Sequence, residues 1–146
     1  MMERKILVAY DGSDLSKKAI QEAELQTAVT PDSEVYILSV VSQTGLMTTY
    51  PTMAFDVERE MARDLQVELG EVKKRFIANN TIVHAEVIID HRQRNSGQAI
   101  AEYASKNDID LIIIGSRGLG GVKGTVLGSV SNQVVQHAAC HVFVVK

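Results

Sequence analysis

A single cysteine in 146 residues, Cys140, excludes an intrachain disulfide and points to a reducing compartment. No uninterrupted apolar run approaches the roughly 20 residues that a membrane helix needs. The opening residues, Met1-Met2-Glu3-Arg4-Lys5, run straight into a strand-like segment and lack the apolar stretch of a secretory signal. Excess positive charge is missing too. Against 18 Asp and Glu stand 15 Lys and Arg, a formal net charge of -3 at pH 7. The chain as a whole therefore has no electrostatic reason to bind DNA or RNA, whose affinity rests largely on phosphate neutralisation. Local positive charge can still hold a small anion. Linkers, internal repeats and low-complexity tracts are also absent. What remains is the expectation of one cytoplasmic globular domain, residues 1–146, with 45% hydrophobic residues to fill its core.

Two kinds of segment alternate along the chain. Short apolar, β-branched runs predict strands at 6–10, 34–41, 81–89, 110–114 and 142–145. Between them lie helical spacings. Ser13 is placed to cap a helix whose positions Leu15, Ala19, Ile20 and Ala23 share one face. Met61, Leu65, Leu69, Val72 and Phe76 make a second stripe, Ala99, Ile100, Tyr103 and Ala104 a third. Val130, Val134 and Val135 suggest a fourth helix starting near Ser129, and Ser42 to Pro51 a mobile loop after strand two. Continuous runs such as Leu111-Ile112-Ile113-Ile114 require burial on both faces, as in a parallel sheet between two helix layers. The fold class is thus α/β, a three-layer sandwich. Two strand orders fit, 3-2-1-4-5 and 2-1-3-4-5, with the crevice beyond strands one and four or one and three.

Six of the ten glycines fall within residues 115–131, directly after the fourth strand. Glycine lets a backbone approach an anion without hindrance from a Cβ, and successive N–H groups can form a concave anion site. Gly128-Ser129-Val130-Ser131 then opens a helix, whose first N–H groups and dipole favour phosphate. Ser129 and Ser131 add hydroxyls; Arg117 and Lys123 add charge. Neither familiar nucleotide signature is present. Lys123 is followed by Gly124, which breaks a Walker A pattern, and strand one leads into Tyr10-Asp11-Gly12-Ser13 instead of Gly-x-Gly-x-x-Gly.

The spacing Gly115-x2-Gly118-x9-Gly128-Ser129 resembles the ATP-binding branch of the universal stress protein family. The resemblance extends over the whole chain, including an Asp at the end of strand one and the closing strand. It implies strand order 3-2-1-4-5, the adenine nucleotide alpha hydrolase-like fold, and ATP as ligand. Ala9, Tyr10 and Asp11 would line the adenosine end, with Asp11 reaching the ribose or a metal. Val40 would pack on adenine with Ile114 beneath. Gly115, Ser116, Arg117 and Gly118 would meet ribose and phosphates, and Gly128, Ser129, Val130 and Ser131 would hold the phosphates. The resemblance also implies Mg2+ or Mn2+ on the phosphates and a homodimer formed through the last strand, His141 to Val145. Ala9, Tyr10 and His141 depart from the family's usual residues; the first two are expected to reshape the adenine pocket, the third to bear on folding or dimer contacts.

Blander readings stand beside these. A glycine-rich turn can serve chain geometry alone, and Asp11 can simply cap the first helix. Val40 belongs to the core on either reading, and Cys140 reads as a small buried residue. His137 and His141 straddle a helix end and a strand start, so they need not converge on a metal. No general base stands beside the phosphate loop, so ATP binding with at most slow hydrolysis is expected, and the role of a nucleotide-dependent stress-response dimer. Competing functions are a receiver-like phosphoacceptor using Asp11, Asp90 and Lys146, a nucleotide-independent stress-response dimer, and an ATP-consuming transferase. The last lacks any histidine pair or lysine signature between Asp11 and Ser16.

Overall fold

The computed structural model describes residues 4–42, 54–118 and 127–146. Most of the expected loop after strand two (43–53) and Lys123 with its neighbours (119–126) lie outside the described residues. The elements alternate as β1 (Lys5–Ala9), α1 (Asp14–Val29), β2 (Glu34–Ser42), α2 (Ala54–Ala78), β3 (Ile82–Asp90), α3 (Ser96–Lys106), β4 (Leu111–Gly115), α4 (Ser129–His137) and β5 (His141–Val145). All strand pairs are parallel, in the order β3-β2-β1-β4-β5.

Each inner strand feeds both faces of the sheet. On one face Ile6, Val8, Val35, Ile37 and Ile113 pack with Ala19, Ile20 and Ala23 of α1 and Leu69 and Phe76 of α2. On the other, Leu7, Leu38, Ile112 and Ile114 pack with Ile100 and Ala104 of α3 and Val134 of α4. The continuous apolar runs of β1 and β4 are thereby buried on both sides, which explains why they show no alternation. β1 lies between β2 and β4, so the chain turns to opposite sides after β1 and β4 and leaves a crevice beyond their carboxyl ends.

That order also removes the receiver arrangement, because β2 separates β1 from β3. Asp90 is buried at the end of β3, paired with Arg94 at 3.0 Å. Several side chains differ from the sequence-based expectation. Met61 of α2 points outward, and the inward stripe runs through Glu58, Ala62, Leu65, Leu69, Val72 and Phe76, one residue later at the start of the helix. In α4 Val135 is exposed, and Ser131 with Val134 takes the inward positions. Cys140 is half-buried against the second core cluster, with burial pushing its thiol pKa up.

Phe76 is fully enclosed, and nothing smaller fills the space it occupies between α2 and the sheet. Phe76→Ala is expected to destabilise the fold by about 3–5 kcal/mol, read as a lower urea midpoint. A loss below about 1 kcal/mol would contradict this packing.

Candidate functional site

The crevice beyond β1 and β4 holds a cavity of ≈ 490 Å³. Its walls come from residues following β1, from the end of β2, from the start of α3, and from the ends of the segment joining β4 to α4. Ala9, Tyr10, Asp11, Val40, Ile114, Gly115, Arg117, Gly118, Gly128, Ser129, Val130 and Ser131 all line it. Of the site residues expected from sequence, Ser116 alone does not.

Ser116 is buried and acts as a staple. Its N–H donates to the carbonyl of Val145 at 2.8 Å, fastening the loop to β5. Its carbonyl accepts from the Gly128 N–H at 2.6 Å and from the Ser131 hydroxyl at 2.8 Å. One carbonyl thus ties the end of β4 to the start of α4. The Ser131 hydroxyl, which also contacts the Gly128 carbonyl at 3.1 Å, lines the cavity and donates within this staple. Polar groups buried where the chain leaves β4 and enters α4 must find partners, and the two serines supply them for each other and for Gly128.

The three helices that begin around the cavity end differently at their N-termini. In α1 the Ser13 hydroxyl accepts from the Ser16 N–H at 3.2 Å. In α3 the Asn95 side chain accepts from the Gly97 N–H at 2.8 Å. α4 starts from Gly128, which has no side chain to offer, and its first N–H groups receive no side-chain cap. Uncapped N–H groups at a helix start attract an anion, through hydrogen bonding and the helix dipole together. Arg117 adds positive charge at the same wall and makes no ion pair with any described residue.

Asp11 sits opposite. Its Oδ1 accepts from the Ser13 N–H at 2.9 Å, so it braces the turn before α1, while Ser13 itself is the cap. A Cβ at Gly118 would come within 2.5 Å of Asp11 Oδ2, so a larger residue there would push this carboxylate aside. The ring of Tyr10 does not reshape the cavity. It points to the other face of the sheet, into the cluster with Ile6, Val8, Leu69 and Phe76. Its backbone is held by an N–H bond to the Leu38 carbonyl at 2.9 Å and by the Ser39 hydroxyl at 2.6 Å. Burial, then the nearby Glu68 and Asp11 carboxylates, push the Tyr10 phenol pKa up. Val40 is only half-buried, because it faces the cavity instead of the core interior.

Six lining residues carried no sequence signal as site residues: Ser13, Ser16, Leu38, Ser96, Ile100 and Leu127. Ser16 could have been noticed as a serine one turn before Ala19 and Ile20 on the inner face of α1. Leu38 and Ile100 look like core residues and are, being 1% and 4% exposed, while also forming the cavity floor. The site therefore has two lobes. Ala9, Leu38, Val40, Ile100, Ile114 and Val130 make an apolar one; Asp11, Ser13, Arg117, Gly118, Gly128 and Ser129 a polar one. Such a cavity suits a ligand with one flat apolar end and one anionic end.

Among the described residues no helix is long and apolar enough to cross a membrane. The chain is similar to the universal stress protein YxiE of Bacillus subtilis, 31% identical over 99% of this chain and 100% of that protein. It is likewise 31% identical to the universal stress protein MJ0531 of Methanocaldococcus jannaschii, over 98% of this chain and 82% of the other. Among solved structures, the protein MJ0577 superposes with a TM-score of 0.84 at 21% identity, covering 100% of this chain and 97% of that one. UspA from Lactobacillus plantarum superposes with a TM-score of 0.75 at 25% identity, covering 100% and 99%. The model of the universal stress protein family matches residues 2–146, and the chain belongs to that family.

Proposed function

We propose that this protein binds ATP in the cavity beyond β1 and β4, as a nucleotide-dependent stress-response dimer. The observation that carries the reading is the uncapped start of α4, which opens into a cavity lined also by an apolar lobe and by an arginine without an ion pair among the described residues. Adenine would lie against Val40 and Ile114, the ribose near Ala9, Tyr10 and Asp11, and the phosphates along Gly115, Arg117, Gly118 and the N–H groups of Ser129, Val130 and Ser131. Ser116 would serve by holding this wall in place. Support comes from proteins of the same fold: one universal stress protein was solved with cAMP, one from Arabidopsis thaliana with AMP, and one from Archaeoglobus fulgidus with dAMP.

A divalent ion fits this arrangement as part of the nucleotide. Among the described residues no group of three or more His, Cys, Asp or Glu is assembled to hold a metal. Mg2+ or Mn2+ would be held by phosphate oxygens and water, with Asp11 beside it, the usual way Mg2+ accompanies a nucleotide. Among the described lining residues Asp11 is the one carboxylate, and its Oδ1 is engaged by Ser13. Binding with at most slow hydrolysis follows. One free cysteine suits a cytoplasmic protein.

The test is calorimetric titration of nucleotide-stripped protein. ATP is expected to bind, and Arg117→Ala to weaken ATP by about tenfold while leaving adenosine unchanged, since a charge-assisted contact to phosphate is lost. Absence of any heat with ATP would overturn the reading.

The dimer rests on β5. Among the described residues it closes one end of the sheet and pairs with β4 alone, while Phe143 is 40% exposed and Val135 of α4 45% exposed. An unpaired apolar edge of this kind favours a second copy. Sedimentation equilibrium should give twice the chain mass of 16.0 kDa, falling to one chain in Phe143→Asp. A monomeric wild type at micromolar concentration would contradict it.

A further inference from the structure

We infer that Ser96 is a specificity-determining residue of this cavity, reading the exocyclic 6-position of a purine through its hydroxyl. The inference rests on the proposed nucleotide site and names a contact within it. Ser96 and Ile100 are four residues apart on α3, so they share one face of the helix, and both line the cavity. Ile100 forms the floor of the apolar lobe with Leu38 and Ile114. Ser96 thus brings a hydroxyl to a lobe otherwise built from aliphatic side chains. That hydroxyl makes no hydrogen bond to any described residue.

The topology says which end of a ligand it would meet. The anion-binding wall follows β4, whereas the start of α3 lies between that wall and β2, Gly97 meeting Val130 of α4 and Ile100 clustering with Leu38 of β2. A nucleotide with its phosphates at α4 and its base against Val40 of β2 therefore points the edge of the base remote from the sugar toward the start of α3. In adenine that edge carries the 6-amino group, the N–H donor that remains on the base once N9 bears the sugar, and a serine oxygen accepts from it.

Ser96 is also held firmly enough to discriminate. Just before it, Arg94 bridges two elements, its Nε 3.0 Å from Asp90 at the end of β3 and its Nη1 2.7 Å from Glu102 of α3. Asn95 caps the helix at the Gly97 N–H. Gly97 then lets α3 press against α4: a Cβ there would fall 2.5 Å from the Val130 carbonyl and 2.6 Å from Gln133 Cβ. Fixed on three sides, the Ser96 hydroxyl costs little further ordering when a base arrives.

The experiment sets three proteins, wild type, Ser96→Ala and Ser96→Thr, against two ligands, followed by calorimetry. ATP and purine riboside 5′-triphosphate differ by the 6-amino group alone. Wild type should prefer ATP by roughly 3- to 10-fold, the worth of one neutral hydrogen bond. Ser96→Ala should abolish that preference by weakening ATP and leaving the analogue unchanged, and Ser96→Thr, which keeps the hydroxyl, should retain it. Equal weakening of both ligands in Ser96→Ala, or an unaltered preference, would overturn the assignment. Should wild type bind neither ligand, the failure lies with the nucleotide reading of the cavity, a result distinct from the other two.

Discussion

The carbonyl oxygen of Ser116 is the point on which the site depends. By accepting from both the Gly128 N–H and the Ser131 hydroxyl, it closes the base of the segment between β4 and α4. The Ser116 N–H, bonded to Val145, fixes the same point to the edge strand. The consequence reaches the ligand wall directly. With Gly128 drawn against β4, α4 begins at the mouth of the cavity and presents its first amides there without a cap. A helix dipole pointed at water contributes little; pointed into a partly enclosed cavity it interacts strongly with an anion.

A net charge of -3 makes the local arrangement matter more. The chain offers an anionic ligand no long-range attraction, so affinity must come from short-range, oriented groups. Uncapped amides and Arg117 supply that on one side. Asp11 stands on the other, braced by Ser13 and passed closely by Gly118. On the proposed reading, a carboxylate at that place would resist a bare triphosphate and suit one carrying a divalent ion.

Much of this was legible in the amino-acid sequence, and the misses are instructive. Strand order could not be read from apolar runs, because β1 and β4 are buried on both faces and show no alternation; the glycine spacing after β4 supported the order that the sheet adopts. Side-chain direction was the weak point. Tyr10 sits beside the cavity by sequence, yet strand alternation sends its ring to the opposite face. Ser116 follows a motif glycine and looks like a ligand contact, yet its N–H and carbonyl are bonded to the chain and it does not line the cavity. Met61 and Val135 were displaced from the expected stripes because Ala62 and Ser131 take the inward positions. Ser96 belongs to no motif. It becomes visible once the topology lays the start of α3 across the apolar lobe.

The central claim concerns three backbone amides, and amide NMR observes them one by one. On titration of 15N-labelled protein with Mg2+ and ATP, the resonances of Ser129, Val130 and Ser131 should move downfield and their exchange with solvent should slow. Saturable binding with those three resonances unmoved, the shifts falling elsewhere on the chain, would contradict the account.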